Sequence, residues 1–115
     1  MTEHSHERRQ HQRVPTKILI KYSNADQFFT DYIQNISRGG IFVPTPNPLP
    51  EGTRLSITFS LPHCDPSITT EGVVIRSILS KAGDDVDSSG MGIQFEALDE
   101  EAQKLIDTYV DSMLT

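Results

Sequence analysis

"TRLSITFSLP", residues Thr53 to Pro62, decides the fold. Leu55, Ile57, Phe59 and Leu61 occupy alternate positions, with Ser56, Thr58 and Ser60 between them. An extended chain throws successive side chains to opposite faces, so this period of two describes a strand with one face in a core and the other in water. On its N-terminal side, PTPNPLPEG holds four prolines and a glycine, which marks an ordered connection and not a strand interior. Earlier still, TKILIKYSN (16–24) and QFFTDYIQNI (27–36) are short, β-branched and aromatic, and the polar break from Asn24 to Asp26 reads as a hairpin turn. Ile41–Val43 is a third short strand. On the C-terminal side, residues 68–79 give a fifth strand, KAGDDVDSSG a loop and GMGIQF a sixth strand.

Only the C-terminus changes period. From Leu98, apolar residues recur at Ala102, Leu105, Ile106, Tyr109, Val110 and Met113, spacings of three and four that make one helical face over about residues 99–114. Asp99 is placed to cap this helix, and Glu100 and Glu101 complement its dipole. The fold class expected is therefore all-β: a six-stranded antiparallel barrel whose open end or seam is covered by a C-terminal α-helix.

Composition narrows the function classes. The chain has 115 residues, enough for one domain with its own core and too few for two. Hydrophobic and charged contents of 36% and 23% fit a soluble globular protein and not a disordered one. No apolar run approaches the roughly 18 residues that span a bilayer, and MTEHSHERRQHQR lacks the apolar centre of a signal peptide, so the expected location is cytoplasmic without membrane insertion. A lone Cys64 agrees with a reducing compartment. Residues 1–22 hold five basic against two acidic side chains, a net +3, which leaves −9 of the total −6 on the remainder. An acidic body is a poor surface for DNA, RNA or anionic lipid, whereas the N-terminal arginines suit a small anion.

Two polar clusters stand out from the barrel pattern. In "NISRGGIFV", residues 35–43, Asn35 and Ser37 end the second strand, and Gly39-Gly40 offers a sharp turn with exposed amides. These side chains either satisfy their own backbone or serve a ligand. In "RRQHQR", Arg8 to Arg13 precede Val14-Pro15, and the proline discourages a helix there, which defines residues 1–14 as an N-terminal arm and 15–115 as the barrel domain.

Arg9-x-x-x-Arg13 followed by Asn35-x-Ser37-x-x-Gly40 resembles the paired signature of PilZ domains, bacterial receptors for cyclic di-GMP. The resemblance covers nearly the whole chain, because the strand order, Gly90-Met91-Gly92-Ile93-x-Phe95 and the closing helix all fit the family's barrel. It implies that Arg9 and Arg13 wrap the ligand against the barrel, that Asn35 and Ser37 hydrogen-bond a guanine, and that Gly40 keeps the turn open. A guanidinium forks onto phosphate oxygens or guanine O6 and N7 and stacks on bases, so arginine suits such a ligand better than lysine. Asn35 stands where the family often has Asp. Arg76, in Gly72-x-Val74-x-Arg76, stands where many members resemble one another in carrying Trp; it either stacks on guanine or is an outward strand arginine. Arg8 adds a third guanidinium, and in similar proteins an arginine there accompanies a stacked pair of ligands, implying two molecules per chain.

The remaining constellations carry less chemistry. His4, His6 and His11 are tail histidines without a fixed surrounding shell, so no metal is expected. Asp85-x-Asp87-x-Ser89-Gly90 followed by Glu96 has calcium-loop spacing but lies between strands, where an EF-hand needs helices. His63-Cys64-Asp65 is too contiguous to aim three side chains at one atom, and no phosphate loop or nucleophile elbow is present, so no enzyme is expected. The expected function is a stand-alone cyclic di-GMP receptor that relays binding to an unidentified protein partner by ordering its arm. The alternative is a PilZ-like interaction module that does not bind nucleotide. An RNA-binding barrel is disfavoured by the acidic body.

Overall fold

The computed structural model describes residues 12–62, 67–79 and 89–114. Arg8 and Arg9, the three tail histidines, the run His63–Asp65, and Asp85 and Asp87 lie outside the described residues. Among the described residues, six strands, β1 (Val14–Asn24), β2 (Gln27–Ile36), β3 (Gly40–Pro44), β4 (Arg54–Phe59), β5 (Ile68–Ile78) and β6 (Gly90–Glu96), precede one helix, α1 (Glu100–Leu114). The strands pair antiparallel in the order β1-β2-β3-β6-β5-β4, and β4 returns to β1 to close a barrel. Closure pairs both margins of the sheet, so none of the described strands is left as an edge.

The alternation in β4 appears as expected: Leu55, Ile57 and Phe59 are buried and Ser56 is exposed, while Leu61 stays buried beyond the end of the strand. Ile20, Ile33, Ile36, Ile41, Met91 and Ile93 fill the interior from the other strands. Ile106 and Val110 of α1 join the same core, each contributing about 1.5–3 kcal/mol by burial. The helical face read from sequence differs at its end: Met113 is exposed, and Leu114, four residues after Val110, packs on the core instead. Asp99 is the N-cap, its Oδ1 accepting from the Ala102 amide at 2.7 Å while its carbonyl accepts from the Gln103 amide at 3.0 Å.

Three local departures from regular geometry shape the surface. The β1–β2 hairpin turns through Ala25-Asp26, with Ala25 at φ 54°, a left-handed conformation that glycine would adopt at lower cost. β1 begins at Val14, two residues before the expected start, and its register with β2 shifts between Pro15 and Ile18, so Thr16 and Lys17 share one step opposite Gln34. In β5 the register with β6 shifts between Val74 and Arg76, leaving Ile75 as an extra residue. Gly72 and Val74 point inward, so strict alternation would aim Arg76 into the core; the bulge returns it to the outer face.

Candidate functional site

The outer face carries a continuous row across five strands. Pro15 in β1 pairs with Asn35 in β2, Asn35 with Phe42 in β3, Phe42 with Gly92 in β6, and Gly92 with Arg76 in β5. Neighbouring strands lie about 4.8 Å apart, so Asn35 and Arg76 stand about 14 Å apart along this row. Gly92 adds no side chain to the row, and a Cβ there would meet the Arg76 Cβ at 3.4 Å.

Arg13 reaches into the row from the residue before β1. Its Nη1 donates to Asn35 Oδ1 at 2.8 Å. Burial lowers the Arg13 pKa, and the positive charge of Arg76 lowers it further. The same geometry that sets these two guanidiniums against each other creates a field that favours an anion. Among the described residues the ion pairs are those of Arg38 and Arg54, and none engages Arg13 or Arg76. Because the Asn35 carbonyl is occupied by Arg13, its amide group is the part left to donate outward, while Arg13 retains further N–H donors.

The rest of the Asn35–Gly40 motif builds the turn. The Ser37 amide donates to the Gly40 carbonyl at 2.9 Å; the Ser37 hydroxyl donates to the same oxygen at 3.4 Å and accepts from the Gly39 amide at 3.3 Å. Ser37 is buried, so its hydroxyl is turned into the loop and not toward the outer row. Gly40 is buried too, and the openness expected of it is not its structural role: a Cβ there would sit 2.4 Å from the Ile93 carbonyl oxygen, so glycine is required by the close approach of β3 to β6. Gly39, by contrast, has open space where its Cβ would be. The sequence-predicted residues therefore divide: Arg13, Asn35 and Arg76 converge on the outer face, Ser37 and Gly40 hold the turn beneath, and Arg8 and Arg9 lie outside the described residues.

Two further residues belong to this region. Phe42 contributes a half-buried ring to the row, above Gly90, where a Cβ would meet that ring at 2.5 Å. Its sequence signal was the alternation Ile41 in, Phe42 out, Val43 in. Arg38 sits inside the motif and binds α1, pairing with Asp107 at 3.7 Å and with Asp111, while its carbonyl accepts from Gln103 Nε2 at 3.0 Å. The hydrogen bond to Asp111 holds the Arg38 guanidinium pKa above its ordinary value. No local pattern in the sequence announces that contact.

A six-stranded closed barrel with a C-terminal helix packed on its core, and an outer face carrying Arg13 and Arg76 beside an Asn-x-Ser-x-x-Gly turn, define the architecture of this chain. The sequence pattern of the PilZ domain matches residues 7–112, and the chain belongs to the PilZ domain family. No curated protein sequence matches the chain. Among solved structures, the Bacillus subtilis inhibitor of motility MotI/DgrA superposes with a TM-score of 0.76 at 23% identity, covering 91% of this chain and 50% of that one. This chain thus spans about half the length of the Bacillus protein. The PilZ domain of YcgR from Escherichia coli, solved with c-di-GMP, superposes at 0.70 with 16% identity over 93% of this chain and 92% of that one. The Borreliella burgdorferi PlzA protein, in complex with c-di-GMP, superposes at 0.55 with 20% identity over 95% of this chain and 43% of that one. Among the described residues no helix is long and apolar enough to cross a membrane.

Proposed function

We propose that the chain is a receptor for cyclic di-GMP that acts by binding and not by catalysis. The observation that carries this reading is the Arg13–Asn35 hydrogen bond on an outer row that also carries Arg76, whose positive charge contributes to lowering the Arg13 pKa. Family membership, and the c-di-GMP complexes of YcgR and PlzA, point to the same ligand. Cyclic di-GMP brings two phosphodiester charges and two guanines. The anions relieve the repulsion between Arg13 and Arg76, the Asn35 amide donates to a guanine acceptor, and a guanidinium face stacks on a base.

The arm completes the proposal. Arg8 and Arg9 add two cations upstream of Arg13, and the ligand draws them onto the barrel, ordering the arm and presenting a new surface to a protein partner. Two stacked ligands concentrate four phosphodiester charges, which is the reason a third arginine, Arg8, favours a stoichiometry of two per chain.

Calorimetric titration with cyclic di-GMP tests the reading. Binding is expected for the wild type, and Arg13→Ala should weaken it at least about tenfold, because a charge-assisted hydrogen bond is worth roughly 1.5–3 kcal/mol. Absence of binding at high micromolar ligand would overturn the receptor reading and leave an interaction module that does not bind nucleotide. Amide exchange at residues 8–14 should slow on ligand addition; equal protection with and without ligand would remove the arm from the mechanism.

A further inference from the structure

α1 touches both segments that carry the candidate site. On one side, Arg38 lies three residues after Asn35, and it is tied to α1 through its main chain by Gln103 and through its guanidinium by Asp107 and Asp111. Gln103, Asp107 and Asp111 are spaced by four, so they form a single stripe along one side of the helix, and Gln103 Nε2 also donates to Asp107 Oδ1 at 2.9 Å. On the other side, Thr16 lies three residues after Arg13, and its hydroxyl shares a hydrogen bond of 2.7 Å with the Tyr109 hydroxyl of α1. The turn between these segments is anchored to the barrel as well, since the Phe95 amide donates to the Gly39 carbonyl at 2.9 Å. Ile106 and Val110 fix the helix itself in the core. The Arg13–Asn35 hydrogen bond is thus spanned from behind by one rigid element that holds both of its strands.

From this arrangement we infer that α1 is a brace for the candidate site and that Arg38 is a positioning residue: it does not touch the ligand but sets the Asn35–Gly40 turn against α1, so that occupancy of the site is felt at the helix. The inference rests on the receptor reading for its ligand arm alone. The contact fits this task because it is adjustable. Arg38, Asp107 and Asp111 are all partly exposed, so their ion pairs hold the turn weakly compared with the buried apolar face of α1. A ligand that draws on Asn35 and Arg13 competes with this weak link at the Arg38 side of the turn, while the Phe95–Gly39 hydrogen bond keeps the other side on the barrel. Coupling of this kind is reciprocal: whatever the brace adds to ligand affinity, the ligand returns as order in the helix stripe.

Amide exchange measured on the full chain tests it with and without cyclic di-GMP, in the wild type, in Arg38→Gln, and in the exchanged pair Arg38→Asp with Asp111→Arg. Without ligand, Arg38→Gln should speed exchange at Ser37 and Gly39 and in the second half of α1, and the exchanged pair should restore most of the protection. With ligand, exchange in the second half of α1 should slow in the wild type, and Arg38→Gln should bind about 1.5- to 5-fold more weakly, the range set by a partly exposed ion pair. Unchanged exchange at Ser37 and Gly39 in ligand-free Arg38→Gln would overturn the brace whatever the ligand does. A lowered melting temperature with affinity and turn exchange both unaltered would reduce Arg38 to a structural residue and overturn it too. Failure of the wild type to bind at all would strike the receptor reading, and the ligand-free comparison would still decide the brace.

Discussion

Gly39 and Gly40 are adjacent and chemically identical, yet they meet different surroundings. A Cβ on Gly40 would lie 2.4 Å from the Ile93 carbonyl oxygen, a main-chain atom in a paired strand that cannot rotate away. A Cβ on Gly39 would meet nothing within 4 Å, and its φ lies outside the left-handed range, so alanine fits there without strain. Gly40→Ala is therefore expected to destabilise the barrel by roughly 1–3 kcal/mol, the cost of overpacking. Gly39→Ala should stay within about 0.5 kcal/mol of the wild type. Urea unfolding of the two variants checks this, and equal midpoints would show that β3 and β6 can separate to admit the methyl group. The contrast also shows what the motif encodes at this scale. Its Ser and second Gly are commitments to a turn shape, whereas Asn35, bonded to Arg13, faces outward.

At the scale of elements, the strands and the helix were legible because each buries one face, and burial leaves a period in the sequence. Leu55, Ile57 and Phe59 recorded a strand, and Ile106 and Val110 a helix, before any contact was known. The two register shifts left no such record. An inserted residue such as Ile75 looks like an ordinary member of an apolar strand, and only its pairing shows that Val74 meets Ile93 while Arg76 meets Gly92. The resemblance offered Arg76 as a ligand residue, whereas the alternation of β5 by itself would have aimed it inward. The Arg38 contacts were hidden by distance along the chain, since Asp107 and Asp111 signal only a solvated helix face. The β1–β2 turn offers an element-scale test. Ala25 holds a φ of 54° at a cost of about 1–2 kcal/mol, against which glycine loses about 0.4–1 kcal/mol of chain entropy. Ala25→Gly should therefore raise stability by up to about 1.5 kcal/mol, read as a higher melting temperature. Eight residues of β2 separate Gln27 from Asn35, about 27 Å of strand, so ligand affinity should not change. A lower melting temperature would mean that the turn relaxes around alanine without cost.

For the whole molecule, charge and linkage together set what ligand binding does to the fold. The net −6 combines an N-terminal stretch of +3 with a remainder of −9, so an anionic ligand approaches a molecule that attracts it in one region and repels it elsewhere. If cyclic di-GMP binds as proposed, Arg13 and Arg76 gain from one bound dinucleotide, but a second brings its two charges up to the first, and only further positive charge from the arm offsets that repulsion. Ligand that binds the folded chain alone raises its stability by RT ln(1 + [L]/Kd) per site, about 2.7 kcal/mol for one site at a hundredfold excess over Kd and about twice that for two equal sites. For a domain of this size each kcal/mol shifts the melting temperature by about 4 °C. A hundredfold excess of cyclic di-GMP should then raise the melting temperature by about 10 °C for one ligand and about 20 °C for two, and the slope of stability against ln[L] counts the ligands independently of calorimetry. The two-ligand proposal expects a slope near 2RT for the wild type and near RT for Arg8→Ala. A wild-type slope of RT that Arg8→Ala leaves unaltered would assign one ligand to the chain and remove Arg8 from the site, while Arg13→Ala should flatten the slope over the same concentrations because the first ligand loses its anchor.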